Sequence, residues 1–132
     1  MGEIEFKTIY FADSSKYDTY LKKANVWPDY GHSRALGVLR SKTQAEVLID
    51  KGYYLSGGIR EEELPAIALH EQIELTSKGK NPHLDATVGE YRFIFGQFGK
   101  SGLNQYHTRL CNLIGGDNSI RFQALGLVLG GG

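Results

Sequence analysis

The chain has 132 residues, 41% of them hydrophobic and 23% charged, the size and balance of one globular domain, which excludes a disordered chain or two full domains. Fifteen basic residues offset fifteen acidic ones, so there is no global field toward nucleic acid or an anionic membrane and no clear nucleic-acid signature. Cys111 is the single cysteine, which excludes an intrachain disulfide and a zinc site built on several thiolates.

The first residues, MGEIEFKTIYF, lack the basic start and apolar run of a signal peptide, and no stretch has the length needed to span a bilayer. A cytoplasmic location is therefore expected, with delivery as part of a longer chain as the alternative. Residues 4–11 alternate with period two and carry β-branched and aromatic side chains, which predicts a strand. Ser14 or Ser15 then caps a helix to about Asn25, and Trp27-Pro28-Asp29-Tyr30-Gly31 is a loop that packs over a small core or forms a binding rim. Ala35 to Leu39 reads as a short strand. Ser41-Lys42-Thr43-Gln44 fits a capping box, so a helix is expected to Lys51 with Gly52 as its stop, followed by a strand at Tyr53-Tyr54-Leu55 and a turn at Ser56-Gly57-Gly58.

Leu64 to Phe95 reads as two helices joined by a short turn around Gly79, with Asn81 capping the second and Pro82 in its first position. On a helical wheel Gln72 and Thr76 mark the wet side of the first helix, which turns His70, Glu71 and Glu74 toward the protein. On the second, Leu84, Val88, Tyr91 and Phe95 make the core stripe, Asp85 and Arg92 face solvent, and His83 and Glu90 share the border of the core. An antiparallel hairpin centred near residue 80 sets His70 level with Glu90, and Glu74 level with Ala86, within about a turn of His83. Beyond it come a Gly-rich loop from Gly96 to Gly102, a helix from Leu103 to Ile114, a turn at Gly115 to Asn118, a strand or helix over Ser119 to Leu129, and a flexible tail, Gly130 to Gly132. His107 and Cys111 share a face of the 103–114 helix, as core residues or, alternatively, as metal ligands.

Two histidines and two carboxylates meeting at one spot suit two chemistries. One is a divalent transition metal, zinc, iron or manganese, held by His70, Glu74, His83 and Glu90, with Glu71 as general base. His70-Glu71-x-x-Glu74 resembles the HExxH helix of zinc peptidases over that spacing alone, with Glu74 where the second histidine would stand. The other is metal-free acid–base catalysis by a buried His-Glu pair, Glu71 and His70 foremost, with Arg60, Arg92, His107 or Lys100 as the groups that would steady a phosphate. A third reading makes the inward stripe a structural hydrogen-bonded network or an oligomer interface.

The element order predicts a single small α+β domain, residues 1–132, with a short, mostly antiparallel sheet packed with a central helical hairpin. The functional expectation is a small hydrolase-like domain, such as a toxin or effector domain of a bacterial or phage polypeptide. A non-catalytic binding or assembly module, with a protein partner or a second copy of itself, is the alternative.

Overall fold

The computed structural model of the chain describes residues 3–24 and 34–130. The expected loop at Trp27 to Gly31 and the last two residues of the tail lie outside them. Three strands, β1 (Glu5–Phe11), β2 (Ala35–Leu39) and β3 (Gln44–Asp50), form one sheet with β3 in the centre. Around it lie the helices α1 (Ser14–Lys23), α2 (Lys51–Ser56), α3 (Leu64–Thr76), α4 (Pro82–Ile114) and α5 (Ser119–Gly130), with a 3-10 turn at Glu61–Glu63 before α3. This is the expected α+β domain with its helical hairpin. The sheet is mixed rather than mostly antiparallel, because α1 and β2 intervene between β1 and β3 and bring the chain back parallel.

Alternation along the strands divides the core in two. Ile9, Phe11, Leu36, Val38 and Leu48 face α1, where they pack with Tyr17, Tyr20 and Leu21. Phe6, Ala35, Val47 and Ile49 face the other way and join the larger core made by the remaining helices.

That two-sided burial explains the main correction. The expected helix at 44–51 is strand β3, whose apolar run follows from covering both faces rather than from a helical stripe. Its supposed capping residue, Ser41, lies in the β2–β3 turn and accepts from Thr43 N–H at 3.2 Å. The expected strand at 53–55 is helix α2, because the fully buried Asp50 caps it by accepting from Tyr53 N–H at 3.1 Å. Asp13, not Ser14 or Ser15, caps α1, and the 119–129 segment is helical.

The helical run of α4 is interrupted at Gly99, where φ is 74° and ψ −172°. Residues sixteen apart on a straight helix would be about 24 Å from each other, yet Tyr106 Oη lies 2.6 Å from Glu90 and the Tyr91 and His107 rings are 5.6 Å apart. The chain therefore doubles back at Gly99, inside the expected Gly-rich loop, and α4 consists of two antiparallel arms, 82–98 and 100–114. The first arm is covered by α3 on one side and by its own second arm on the other, which widens its buried stripe to Ala86, Thr87, Glu90, Tyr91 and Ile94. Phe95, expected in the core, is 41% exposed at the stripe's edge.

Candidate metal centre

Helix α3 reaches the sheet closely because β2 offers Gly37 at the crossing, where a Cβ would stand 3.3 Å from both the Glu71 carbonyl oxygen and the Leu75 side chain. This approach presents His70, Glu71 and Glu74 to a cleft of about 750 Å³ between β2 and the helices. His83, Arg34 and Arg121 also line it. The volume is that of a site for a small molecule or a short segment of chain.

The hairpin register pairs the residues its sequence implied. His70 Nδ1 lies 2.7 Å from Glu90 Oε1, and His83 Nδ1 lies 3.0 Å from Glu74 Oε2. His70 Nε2 is 3.9 Å from the same Glu74 oxygen, and the two imidazoles meet edge to face at 5.1 Å. His70, Glu74 and His83 each bring one ligand atom to a spot where all three lie within 4.8 Å of one another. Such a group could hold a metal ion. Side-chain exposure rises from 6% at His70 to 38% at Glu74 and 47% at His83, so the spot opens toward solvent on one side.

Glu90 stands behind this group rather than in it. Its carboxylate accepts from Tyr106 Oη at 2.6 Å and from Arg121 at 3.2 Å to each oxygen, besides the His70 contact. Burial opposes its charge, but Arg121, His70 and Tyr106 outweigh burial and bring its pKa down to about 2. An ionised carboxylate only accepts, so the proton on this contact belongs to His70 Nδ1, and Nε2 is the nitrogen that faces Glu74. Arg121 stays charged despite its own burial because Glu90 lies against it. Glu74 is lowered first by its hydrogen bond from His83 and then, against burial, by the nearby His70.

Glu71 differs from both. Burial, reinforced by the Glu74 and Glu90 carboxylates, pushes it well above the carboxylate range. It lines the cleft, and no described residue hydrogen-bonds to its carboxyl. A carboxyl so displaced holds its proton more tightly than an ordinary one and is suited to acid–base chemistry.

The expected phosphate-steadying residues are elsewhere. Arg60 pairs with Glu63 and stands over Phe98, Arg92 and Lys100 point to solvent, and His107 is buried against Tyr91 and Phe122. The cations at the cleft are Arg34, bound to Asp18 and Asp50, and Arg121. Arg121 had a signal in the sequence, as the lone charge in the apolar run SIRFQALGLVL. Tyr106, one turn before Leu110 on a buried face, had none that separates it from ordinary core. His107 and Cys111 lie 3.7 Å apart, and the His107 ring is engaged by Tyr91 Oη at 2.6 Å, an arrangement of core residues. Among the described residues no helix is long and apolar enough to cross a membrane. No protein-family model matches the chain, and neither a curated protein nor a solved structure does.

Proposed function

We propose that the cleft is a divalent-metal hydrolytic site in which His70, Glu74 and His83 are the protein ligands and Glu71 is the general base. The observation that carries this reading is the three-residue group within 4.8 Å together with the Glu90 contact that commits His70 to one tautomer. Zinc is the cation that two imidazoles and one carboxylate suit best, with iron and manganese as alternatives. Bound there, it would lower the pKa of a water and polarise a carbonyl or phosphoryl oxygen.

The rest of the chemistry belongs to the chain. Glu71 stands beside His70 and lines the cleft, with no described residue hydrogen-bonded to its carboxyl, and there it accepts the proton of the attacking water and passes it to the leaving group. Glu90, Tyr106 and Arg121 hold His70 in place, a structural network that supports the site from behind. The metal-free alternative is weaker, because the carboxylates touching the two histidines are Glu90 and Glu74, both lowered and thus poor proton donors.

Element analysis of protein purified without chelator tests the reading. One equivalent of a transition metal, a lower melting temperature after chelation, and loss of hydrolysis in Glu71→Gln at unchanged metal content are expected. Absence of stoichiometric metal, with melting unaffected by chelator or added zinc, overturns it.

A further inference from the structure

The phenols packed near Tyr54 have partners within the protein. Tyr91 Oη meets His107 at 2.6 Å, Tyr106 donates to Glu90 at 2.6 Å, and Tyr53 donates to the Leu113 carbonyl at 3.3 Å. Tyr54 differs from them. It is 7% exposed and its ring meets that of Tyr53 edge to face at 5.1 Å, yet no described residue hydrogen-bonds to its hydroxyl. Among the described residues every fully enclosed side-chain nitrogen or oxygen has a hydrogen-bond partner. A hydroxyl without one therefore borders open space, and the space that Tyr54 lines is the cleft. The same reasoning turns the Glu71 carboxyl into the cleft. Burial, and after it the charges of Glu71 and Glu90, hold the Tyr54 phenol well above its ordinary value of 10.0, so the hydroxyl keeps its proton and is a donor.

The two arginines that line the cleft are already matched. Arg34 is bound to Asp18 and Asp50 at 3.1 and 3.0 Å, and Arg121 lies 3.2 Å from each oxygen of Glu90. Glu71 and Glu74 add acidic groups to the same wall, and Leu36, Val38, Leu75 and Ile114 give it apolar surface. A phosphoryl group brings negative charge into a site and calls for cations left over to meet it. A carbonyl group brings none, and a single neutral donor serves it.

We propose that the cleft takes an uncharged acyl compound, an ester or an amide with an apolar acyl chain, and that Tyr54 donates a hydrogen bond to its carbonyl oxygen. This rests on the hydrolytic reading of the site and names its substrate class. Water adds to the acyl carbon while Glu71 accepts its proton, and the carbonyl π pair moves onto the oxygen that faces Tyr54. That oxyanion draws the phenol hydrogen bond more strongly than the carbonyl did, which is the condition for a donor to speed a reaction. As the C=O bond re-forms, the C–O or C–N bond breaks and the leaving group departs with the proton from Glu71. A donor that has no protein acceptor to give up needs no rearrangement to do this.

Tyr54→Phe removes the hydroxyl and keeps the ring. Its melting temperature should equal or exceed that of the wild type, because no hydrogen bond within the protein is lost. The turnover probes for the zinc-loaded protein are p-nitrophenyl hexanoate, hexanoyl p-nitroanilide and bis(p-nitrophenyl) phosphate. The two acyl probes are cut in preference to the phosphate diester, and their relative rates separate an ester site from an amide site. Tyr54→Phe lowers kcat on them by roughly a hundredfold to a thousandfold with KM little changed, while Tyr53→Phe, whose hydroxyl is engaged at Leu113, stays near the wild type. In zinc-free protein carrying isotope-labelled tyrosine, hexanamide shifts the Tyr54 Cζ resonance and diethyl phosphate does not. That shift without any hydrolysis leaves the carbonyl contact standing and removes the hydrolytic reading. Zinc-dependent hydrolysis that Tyr54→Phe does not slow, or that favours the phosphate diester, overturns the proposal and leaves the hydrolytic reading in place. A lower melting temperature in Tyr54→Phe, the mark of a structural hydroxyl, also overturns it, and neither shift nor hydrolysis overturns both.

Discussion

His70 and Glu90 are twenty residues apart in sequence and 2.7 Å apart in space, and the charge on Glu90 decides which nitrogen of His70 faces the cleft. Glu90 is held ionised by Arg121 and Tyr106, so His70 donates from Nδ1 and keeps Nε2 free to ligate. Glu90→Gln weakens that acceptor and its charge without changing its size. The expected outcome is a loss of roughly tenfold to a hundredfold in zinc affinity of the folded protein, measured by competition with a chromophoric chelator. Wild-type affinity in a folded Glu90→Gln variant would show that the contact does not tune the site.

Arg121 and Glu90 form a nearly dry ion pair, with side-chain exposures of 11% and 1%. Removing one partner leaves the other charge buried and uncompensated. Arg121→Met should cost about 3–5 kcal/mol in denaturant unfolding. Replacing both, Arg121→Met with Glu90→Leu, should recover much of that loss, because no charge is then stranded. If the double variant is no more stable than Arg121→Met alone, the pair is not the source of the cost.

How much of this was legible beforehand differs between the hairpin and the sheet. The His70–Glu90 and Glu74–His83 pairings follow from local signals: a turn at Gly79, a cap at Asn81, and a polar pair, Gln72 and Thr76, that fixes the outward side of one helix. Such signals act within a turn or two of the chain and survive in the fold. Strand β3 was hidden because a strand covered on both faces loses its period-two pattern, and the Ser41 motif serves a hairpin turn equally well. The supporting residues Arg121 and Tyr106 come from elements packed against the hairpin only because the chain reverses at Gly99, a tertiary event that leaves just a glycine in the sequence.

That reversal gives its own test. At φ 74° and ψ −172° Gly99 occupies a region that is open to glycine and strained for other residues. A Cβ there would meet nothing within 4 Å, so any loss in Gly99→Ala reports backbone strain alone. About 1–3 kcal/mol of destabilisation is expected, read from urea unfolding. A neutral effect would mean that the two arms of α4 meet through another geometry.

Glu63 provides a pH test away from the cleft. It is fully buried, accepts from Arg109 at 2.7 and 2.8 Å, and accepts from the Arg60 backbone and side chain. Burial raises its pKa, but the hydrogen bonds from Arg109 and Arg60 outweigh burial and leave it below its ordinary value of 4.5. A carboxylate lowered on folding contributes stability that is complete above its unfolded value and is lost as pH falls through the folded value. Glu63→Gln should therefore be less stable than the wild type at pH 7, by about 1.5–3 kcal/mol for a charged hydrogen-bonded acceptor. The gap should narrow steadily below pH 4.5, since protonation of Glu63 removes the same interaction from the wild type. Other acidic groups titrate in both proteins and cancel in the difference. Melting curves of the two proteins from pH 7 to about pH 2.5, below the ordinary carboxylate range, measure the gap directly. A gap that stays constant through the acid range would mean that the Arg109 contact does not depend on the charge of Glu63.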